Sequence, residues 1–565
     1  MRKTETSDLW WKTAVFYCLD VETFFDSDND GFGDFDGVSE RIDYLAGLGV
    51  TCLWLMPFYP TAERDDGYDI TDFCGVDPRV GSFGDVVELI RTAKDRGMRI
   101  IADLVVNHTS DKHPWFKEAR KSKDNPYRDY YVWRDTEPPD TSDKVVFPDV
   151  EDSIWELDER TGEWYLHNFY KHQPDLNVTN PKVRDEISKI IGFWMQLGFD
   201  GFRVDAVPNL IETVGATAGA ADTYGEPHDY LRQLKAFMGR RKGDAILLGE
   251  VNVPYAEQVK FFGGSDSGDE LTMQFDFELM QQTYLALARG DAAPIEKTLE
   301  RRPQLPEHNQ FGVFLRNHDE LTLDKLSDEE RQEVFDAFGP DPDTQLFGRG
   351  LRRRVPPMLD GDPRRICMVY SLLFSLPGTP VLFYGEEIGM GENLDVPGRL
   401  AVRTPMQWTS DKNGGFSKAK PSQLPAAVTE GPFGPSHVNV SDQRRDPDSL
   451  LSFISRLAQG HRESPELGMG TFEILEHDAP AVLAHRCTWK HENEPGASTL
   501  LVHNLGPEAT EITVTCEDLE EGARAYEMFS DASLTVGKGG KLTIPVDGYG
   551  HLWWRLHTSG GIRLP

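Results

Sequence analysis

Positive charge, cysteine and unbroken apolar runs are all scarce in this 565-residue chain, and each shortage removes a class of function. Lys and Arg number 59 against 94 Asp and Glu, for a formal net charge of -35. Gripping a phosphate backbone or an anionic membrane surface takes clustered cations, so neither nucleic acid nor a membrane is an expected partner. The six cysteines (Cys18, Cys52, Cys74, Cys367, Cys487 and Cys516) are scattered. None forms a close pair with metal spacing, and several sit in apolar strand-like runs. They read as buried free thiols, which suits a reducing cytoplasm. The longest apolar stretch, near Val369–Tyr384, is broken by Pro377-Gly378 and by Pro380. It reads as a core helix followed by a strand, not as a membrane span. The first residues, Met-Arg-Lys-Thr-Glu-Thr-Ser-Asp, lack the apolar segment of a signal peptide, so a cytoplasmic location is expected.

Apolar residues make up 39% and charged residues 27% of the chain, which is ordinary for a globular protein long enough for two or three domains. One grammar repeats in the first half: a helix-period segment ends near a glycine, and a strand follows. Ser39–Ala46 leads to Val50–Met56, Asp85–Arg96 to Arg99–Val106, and Lys182–Leu197 to Gly201–Ala206. Ile187, Ile190, Ile191 and Trp194 show the helical spacing. Alternating helix and strand implies parallel pairing with right-handed crossovers. Eight strand candidates can be marked: Val15–Leu19, Thr51–Met56, Arg99–Val106, Phe202–Ala206, Ala245–Gly249, Thr272–Phe275, Gly312–Leu315 and Val381–Tyr384. Eight predicts an α/β chain folded as a (β/α)8 TIM barrel, whereas a doubly wound sheet usually needs fewer.

Two long inserts interrupt the pattern: Thr109–Tyr170, rich in Trp, Tyr, Asp and Pro, and about Glu320–Asp362. Loops this long are usually functional or small subdomains. Beyond about Gly470, short runs such as Thr471–Leu475, Ser498–Leu505, Glu511–Thr515 and Lys541–Val546 alternate with turn residues, which predicts a C-terminal antiparallel β-sandwich. The expected domains are the barrel over 1–108 and 171–458, an inserted subdomain over 109–170, and a β domain over 459–565.

Four segments follow predicted strands and end in chemically useful groups. They are Asp103-Leu104-Val105-Val106-Asn107-His108, Gly201-Phe202-Arg203-Val204-Asp205-Ala206, Leu248-Gly249-Glu250, and Arg316-Asn317-His318-Asp319. Parallel barrels build their active sites where strand ends meet. Three carboxylates, two histidines and an arginine are therefore expected in one pocket. That is equipment for opening a glycosidic bond.

These four segments, in this order, resemble the α-amylase superfamily, glycoside hydrolase family 13. Gln173-Pro174-Asp175-Leu176-Asn177, Gly378-Thr379-Pro380, Tyr384-Gly385-Glu386-Glu387-Ile388-Gly389 and Arg403-Thr404-Pro405-Met406-Gln407-Trp408 also fit the family. The likeness spans about residues 9–420. Within the superfamily the chain is most similar to the trehalose synthase branch, through Asn317–Leu323, Gly350–Arg354 and Phe169–Asn177. It departs from that branch at Leu-Gly-Glu250-Val-Asn, where Ala-Glu-Ala-Asn is usual, and at Val396–Ala401, which replaces a more acidic loop.

The resemblance implies roles. Asp205 is the expected nucleophile and Glu250 the acid/base, with a raised pKa; Asp319 would hold the sugar and stabilise the transition-state charge. Arg203, two residues before Asp205 on one strand, points the same way and would keep it ionised. His108 and His318 would donate to sugar hydroxyls. Tyr68 would stack on the glucose, and Asp65 with Arg403 would grip its far hydroxyls, which closes the subsite and makes the enzyme exo-acting. Bland alternatives exist for each: a structural Arg203–Asp205 bridge, core histidines, and a simple turn at Asp66-Gly67.

Asp26, Asp28, Asp30 and Asp34, with the Phe32 carbonyl, alternate oxygen ligands as hard-cation loops do, and the resemblance supports structural Ca2+ there. A second Ca2+ site, implied by the resemblance, would use Asn107, Asp175, the Leu210 carbonyl and Glu212. No organic cofactor is expected. Trp115, Tyr130, Tyr131, Trp133, Trp155 and Trp164 read as subdomain core, and none is assigned to substrate. The expected function is isomerisation of maltose to trehalose through a covalent glucosyl-Asp205 intermediate, with a small α-glucoside as partner. An exo-α-glucosidase acting on maltose, trehalose, sucrose or isomaltose is the alternative, and a dead sugar-binding scaffold is disfavoured because all three carboxylates are present. Self-association as a homo-oligomer stays open, since no interface is legible.

Overall fold

The computed structural model describes residues 5–210, 228–490 and 496–556. Eight strands form a closed parallel barrel: β1 (Phe16–Leu19), β2 (Cys52–Leu55), β3 (Arg99–Leu104), β4 (Gly201–Val204), β5 (Ile246–Gly249), β6 (Met273–Phe275), β7 (Gln310–Val313) and β8 (Thr379–Phe383). Each strand neighbours the next in sequence. Register is fixed by pairs such as Leu53↔Ile100, Asp103↔Arg203, Val204↔Gly249 and Gly312↔Thr379. Barrel strands are covered on both faces, which is why they read as continuous apolar runs.

All eight expected strands are present, with ends moved by one or two residues in most cases. The largest shift is in β7, which lies two residues earlier at both ends than expected, while β3 stops at Leu104 although the apolar run continues to Val106. Beyond Leu104 the chain turns out, and His108 bridges to Asp175 instead. Apolarity persists because Val105 and Val106 stay fully buried. The helix before β4 is Pro181–Leu197, capped by Gly198 at φ 123°, a conformation that favours glycine.

The chain divides into two compact units. One comprises Cys18–Ile42 and Cys52–Phe275; the other comprises Met1–Tyr17, Asp43–Thr51 and Asp276–Pro565. The first unit carries the first insert, where Trp133–Arg134, Glu163–Leu166 and Trp155–Asp158 form a three-stranded antiparallel sheet. Its aromatics pack on one another, with Phe116 stacked on Trp133 at 5.8 Å and edge-on to Tyr131 and Tyr165. Phe116, Tyr130, Tyr131 and Tyr165 are buried, while Trp115, Trp133, Trp155 and Trp164 are half-buried at the edge of this cluster.

In the second unit the other insert forms a small sheet from Leu321–Thr322, Gln345–Leu346 and Gly350–Leu351, and a helix Asp328–Phe338 started by a Ser327/Glu330 capping box. The C-terminal region is antiparallel. A six-stranded sheet and a two-stranded antiparallel sheet, Thr510–Thr515 with Lys541–Val546, share an apolar core of Val482, Leu500, Val502, Ile512, Ile544 and Trp554 among others. Val482–Trp489, Arg524–Glu527, Ser533–Thr535 and His551–Leu556 are strands not marked from the sequence. Val482–Trp489 hides because it buries polar groups: Arg486 pairs with Asp518 and His485 bonds the Ser375 carbonyl. No helix among the described residues is long and apolar enough to cross a membrane. The apolar stretch near Val369–Tyr384 folds as the end of helix Pro363–Ser375 followed by β8.

Helix Pro363–Ser375 meets the C-terminal sheet through buried histidines. Ser371 and Ser375 hydroxyls lie 3.0 and 3.4 Å from His503 Nε2, and Trp553 Nε1 donates to Ser371 at 2.9 Å. Burial holds His485, His551 and His461 down at about 4 and His503 well below the ordinary value. The unfolded chain therefore takes up protons below about pH 6.5 that the folded chain refuses, and these groups weaken folding as pH falls. Replacing His503 by Gln removes one of them. The fall in unfolding free energy between pH 7 and pH 5 is expected to shrink by about 2 kcal/mol, measured by urea titration. An unchanged pH dependence contradicts the assignment.

Candidate active site

β3, β4 and β5 lie side by side, and their registers place Arg203 directly across from Asp103 on one side and Leu248 on the other. Asp205 and Glu250 lie two residues further along from Arg203 and Leu248, on the same faces. The Arg203 guanidinium collects all three acids. Nη1 lies 2.7 Å from Asp103 Oδ1 and 2.6 Å from Asp205 Oδ1, and Nη2 lies 2.7 Å from Glu250 Oε2. Exposure grades outward: the side chains of Arg203 and Asp103 are 1% and 0% exposed, Asp205 10% and Glu250 23%. The acid furthest out is thus the one expected to exchange a proton.

Burial pulls the Arg203 guanidinium down, but Asp103, Glu250, Tyr68 and Asp205 together hold it well above the ordinary arginine value. Asp103 is pushed up by burial, with Arg203 and Trp54 acting against the shift. Three carboxylates on one cation carry surplus negative charge, which favours a proton somewhere in the cluster. Ala206 takes a left-handed φ of 46°, and its N–H donates to Glu250 Oε2 at 3.1 Å. A non-glycine residue held there is local strain beside Asp205 and Glu250.

Asp103 opens the first motif, yet sequence reasoning assigned it no role. It accepts from Trp54 Nε1 at 3.0 Å and Tyr68 OH at 3.2 Å, and its carbonyl accepts from Tyr59 OH at 2.7 Å. It fixes the tyrosine expected to stack on the sugar. The available signal was its position on β3 opposite Arg203. His108 Nε2 lies 3.1 Å from the Tyr68 carbonyl, with its ring near Phe169. Asp65 accepts from Gln173 Nε2 at 2.8 Å.

The second unit gathers His318, Asp319, Arg399 and Arg403. Asp319 Oδ1 accepts from Arg399 Nη1 at 2.7 Å and Arg403 Nη2 at 2.8 Å; His318 Nε2 lies 3.3 Å from Asp319 Oδ2. Arg403 Nε also donates to the His318 carbonyl. Arg399 belongs to the departing Val396–Ala401 loop, so that loop supplies a direct partner of Asp319. The other departure has a packing account. A Cβ on Gly249 would meet Leu271 Cδ1 at 2.3 Å, so Leu271 fills the room an alanine would take.

Of the first cation loop, Asp26, Asp28 and Asp34 each present an oxygen within 4.8 Å of the others. Asp26 also accepts the Asn29 and Gly31 N–H groups, and Asp30 accepts the Phe32 N–H. This oxygen set fits a hard cation. At the second position Asp175 is fully buried and accepts from Asn168, and burial pushes it up to about 7. Asn107 Oδ1 is buried without a hydrogen-bond partner. An orphaned oxygen beside a buried carboxyl fits a cation as well. Leu210 is buried, and Glu212 lies outside the described residues.

A family model described as the alpha amylase catalytic domain matches residues 21–335 and 352–470. The trehalose synthase/amylase TreS of Mycobacterium tuberculosis is 41% identical over 557 residues, covering 97% of this chain and 90% of that protein. The trehalose synthase of Pimelobacter sp. is 40% identical, covering 97% and 96%. A solved trehalulose synthase superposes with a TM-score of 0.74 at 28% identity, covering 97% of this chain and all of that one.

The cluster makes opposite predictions for two of its acids. Asp103→Leu leaves Trp54 Nε1 and Tyr68 OH without their acceptor and is expected to lose roughly 3 kcal/mol of stability. Asp205→Asn removes surplus negative charge and is expected to leave the melting temperature unchanged or higher. Thermal melts of both variants check this; a large loss in Asp205→Asn contradicts the charge account.

Proposed function

The chain belongs to the α-amylase family, glycoside hydrolase family 13, and we propose that it is a retaining, exo-acting α-glucosyl enzyme that isomerises maltose to trehalose. The observation that carries this reading is the one guanidinium bridging Asp205 and Glu250 at the ends of β4 and β5. Held that way, the two carboxyls are compatible with the roughly 5 Å separation of retaining enzymes. The full-length likeness to two trehalose synthases supports the choice of substrate.

In this reading Asp205 attacks the anomeric carbon of the non-reducing glucose while Glu250 protonates the glycosidic oxygen. The C1–O bond to the leaving glucose breaks and a C1–Asp205 ester forms. The released glucose stays in the site and turns. Glu250 then takes the proton of its anomeric hydroxyl as that oxygen attacks C1 and displaces Asp205. Two displacements retain the α configuration. Glu250 leaves its Arg203 contact when it carries the proton, which its outer position permits. Asp319, steadied by Arg399 and Arg403, would hold sugar hydroxyls with His318, and His108 would donate to a sugar hydroxyl. Tyr68 and Asp65 would form the closed wall, with Arg403 reaching the far hydroxyls.

Calcium at the Asp26, Asp28, Asp30, Phe32 and Asp34 loop would fix the turn ahead of helix Phe35–Glu40, which Asp34 caps. Calcium at Asn107, Asp175, Leu210 and Glu212 would tie the base of the insert to the barrel. It would also displace the proton that Asp175 holds below about pH 7. A second reading, hydrolysis by the same residues, is favoured by the relative whose name pairs synthase with amylase and by the departing Val396–Ala401 loop.

Maltose given to the purified protein is expected to yield mostly trehalose with minor glucose, followed by anomeric NMR. Glucose as the main product establishes the hydrolase instead. Asp205→Asn and Glu250→Gln are each expected to lower kcat by about 10³-fold or more. Chelation is expected to lower the melting temperature by several degrees and added Ca2+ to restore it. Identical melts with and without chelator contradict the calcium sites.

A further inference from the structure

The wall that carries Asp65 and Tyr68 is a strained loop held from outside. Thr61 and Ile70 bridge across its base. Between them Glu63 and Asp66 take left-handed φ values of 58° and 49°. Such residues persist only where their surroundings over-determine them. Asp69, fully buried, supplies part of that restraint: its Oδ1 accepts from Thr61 Oγ1 at 2.6 Å and from the Arg64 and Asp65 N–H groups at 3.2 and 3.3 Å.

Further restraint comes from the insert, at its entry and exit together. At the exit, Gln173 is fully buried; its Nε2 donates to Asp65 Oδ2 at 2.8 Å while its Oε1 accepts the Tyr170 N–H. At the entry, Arg64 Nη2 donates to Ser110 Oγ at 3.2 Å and pairs with Asp111. Entry and exit are joined to each other, since the Asp111 N–H donates to the His172 carbonyl at 2.8 Å and the Thr109 N–H to the Pro174 carbonyl at 3.2 Å. The Ser110 N–H closes the circuit on the Ile70 carbonyl at 2.9 Å.

We infer that Gln173 and Arg64 are positioning residues that clamp the sugar-stacking wall to the insert, and that this clamp sets how often the glucosyl-enzyme is lost to water. The inference rests on the isomerase reading. Both fates of the C1–Asp205 ester begin the same way, with an oxygen nucleophile attacking C1, the ester bond breaking and Glu250 accepting the nucleophile's proton. They differ only in whether the oxygen belongs to the retained glucose or to water. A wall free to swing admits water without altering Asp205 or Glu250, so a loosened clamp changes the product ratio more than the rate.

Gln173→Leu keeps the apolar burial and removes the donor. Arg64→Gln breaks the second link at a side chain one-third exposed, where folding is at little risk. At matched maltose consumption each variant is expected to raise the glucose-to-trehalose ratio about fivefold, as the loss of one hydrogen bond would. The rate of maltose consumption should fall by less than that, and Arg64→Lys, which keeps the charge toward Asp111, should fall between parent and Arg64→Gln. Variants that melt like the parent and keep its product ratio overturn the clamp, and if Gln173→Leu does not fold, Arg64→Gln alone decides. A parent protein that makes no trehalose overturns the isomerase reading itself.

Discussion

A buried guanidinium that must serve three carboxylates is the constraint on which the site depends. Arg203 cannot be left uncompensated in the barrel, and Asp103 cannot be left without a cation. The two are therefore locked across β3 and β4, at a register pair that also fixes how the strand ends align. Asp205 and Glu250 occupy the outer positions of the same guanidinium. They inherit its placement at shallower depth, Asp205 less exposed than Glu250. The arrangement separates a structural acid from the two proposed catalytic acids by depth.

Around this core the supporting contacts follow one logic: each expected sugar-binding group is fixed by something that does not touch sugar. Tyr68 is oriented by Asp103, Asp65 by Gln173, and Asp319 by Arg399. Pre-orientation of this kind lets binding energy act on the transition state instead of on ordering the protein. Left-handed Ala206 beside the proposed nucleophile, and Glu63 and Asp66 in the wall, are where the fold tolerates strain to hold those positions.

Much of this was legible in the sequence because barrel strands buried on both faces leave long apolar runs, and because Asp205 and Glu250 follow such runs directly and Asp319 comes four residues after one. What escaped notice has physical reasons. Asp103 lies inside a strand, so nothing marks it as more than a buried acid until its partner across the sheet is known. Gln173 and Arg64 act through contacts between segments far apart in the chain, which spacing cannot reveal. Val482–Trp489 resists detection because His485 and Arg486 are buried with their own partners, which breaks the alternation that marks a strand. The acidic loop was readable as a group of oxygens, since Asp26, Asp28 and Asp34 approach one another through local turns alone.

The central claim is that Asp205 forms a covalent bond to glucose. Incubation with 5-fluoro-α-D-glucosyl fluoride, quenching and peptide mass spectrometry test it most directly. The account predicts a fluoroglucosyl adduct on the peptide containing Asp205, absent in Asp205→Asn. An adduct on another carboxylate, or steady turnover of the reagent by Asp205→Asn, contradicts it.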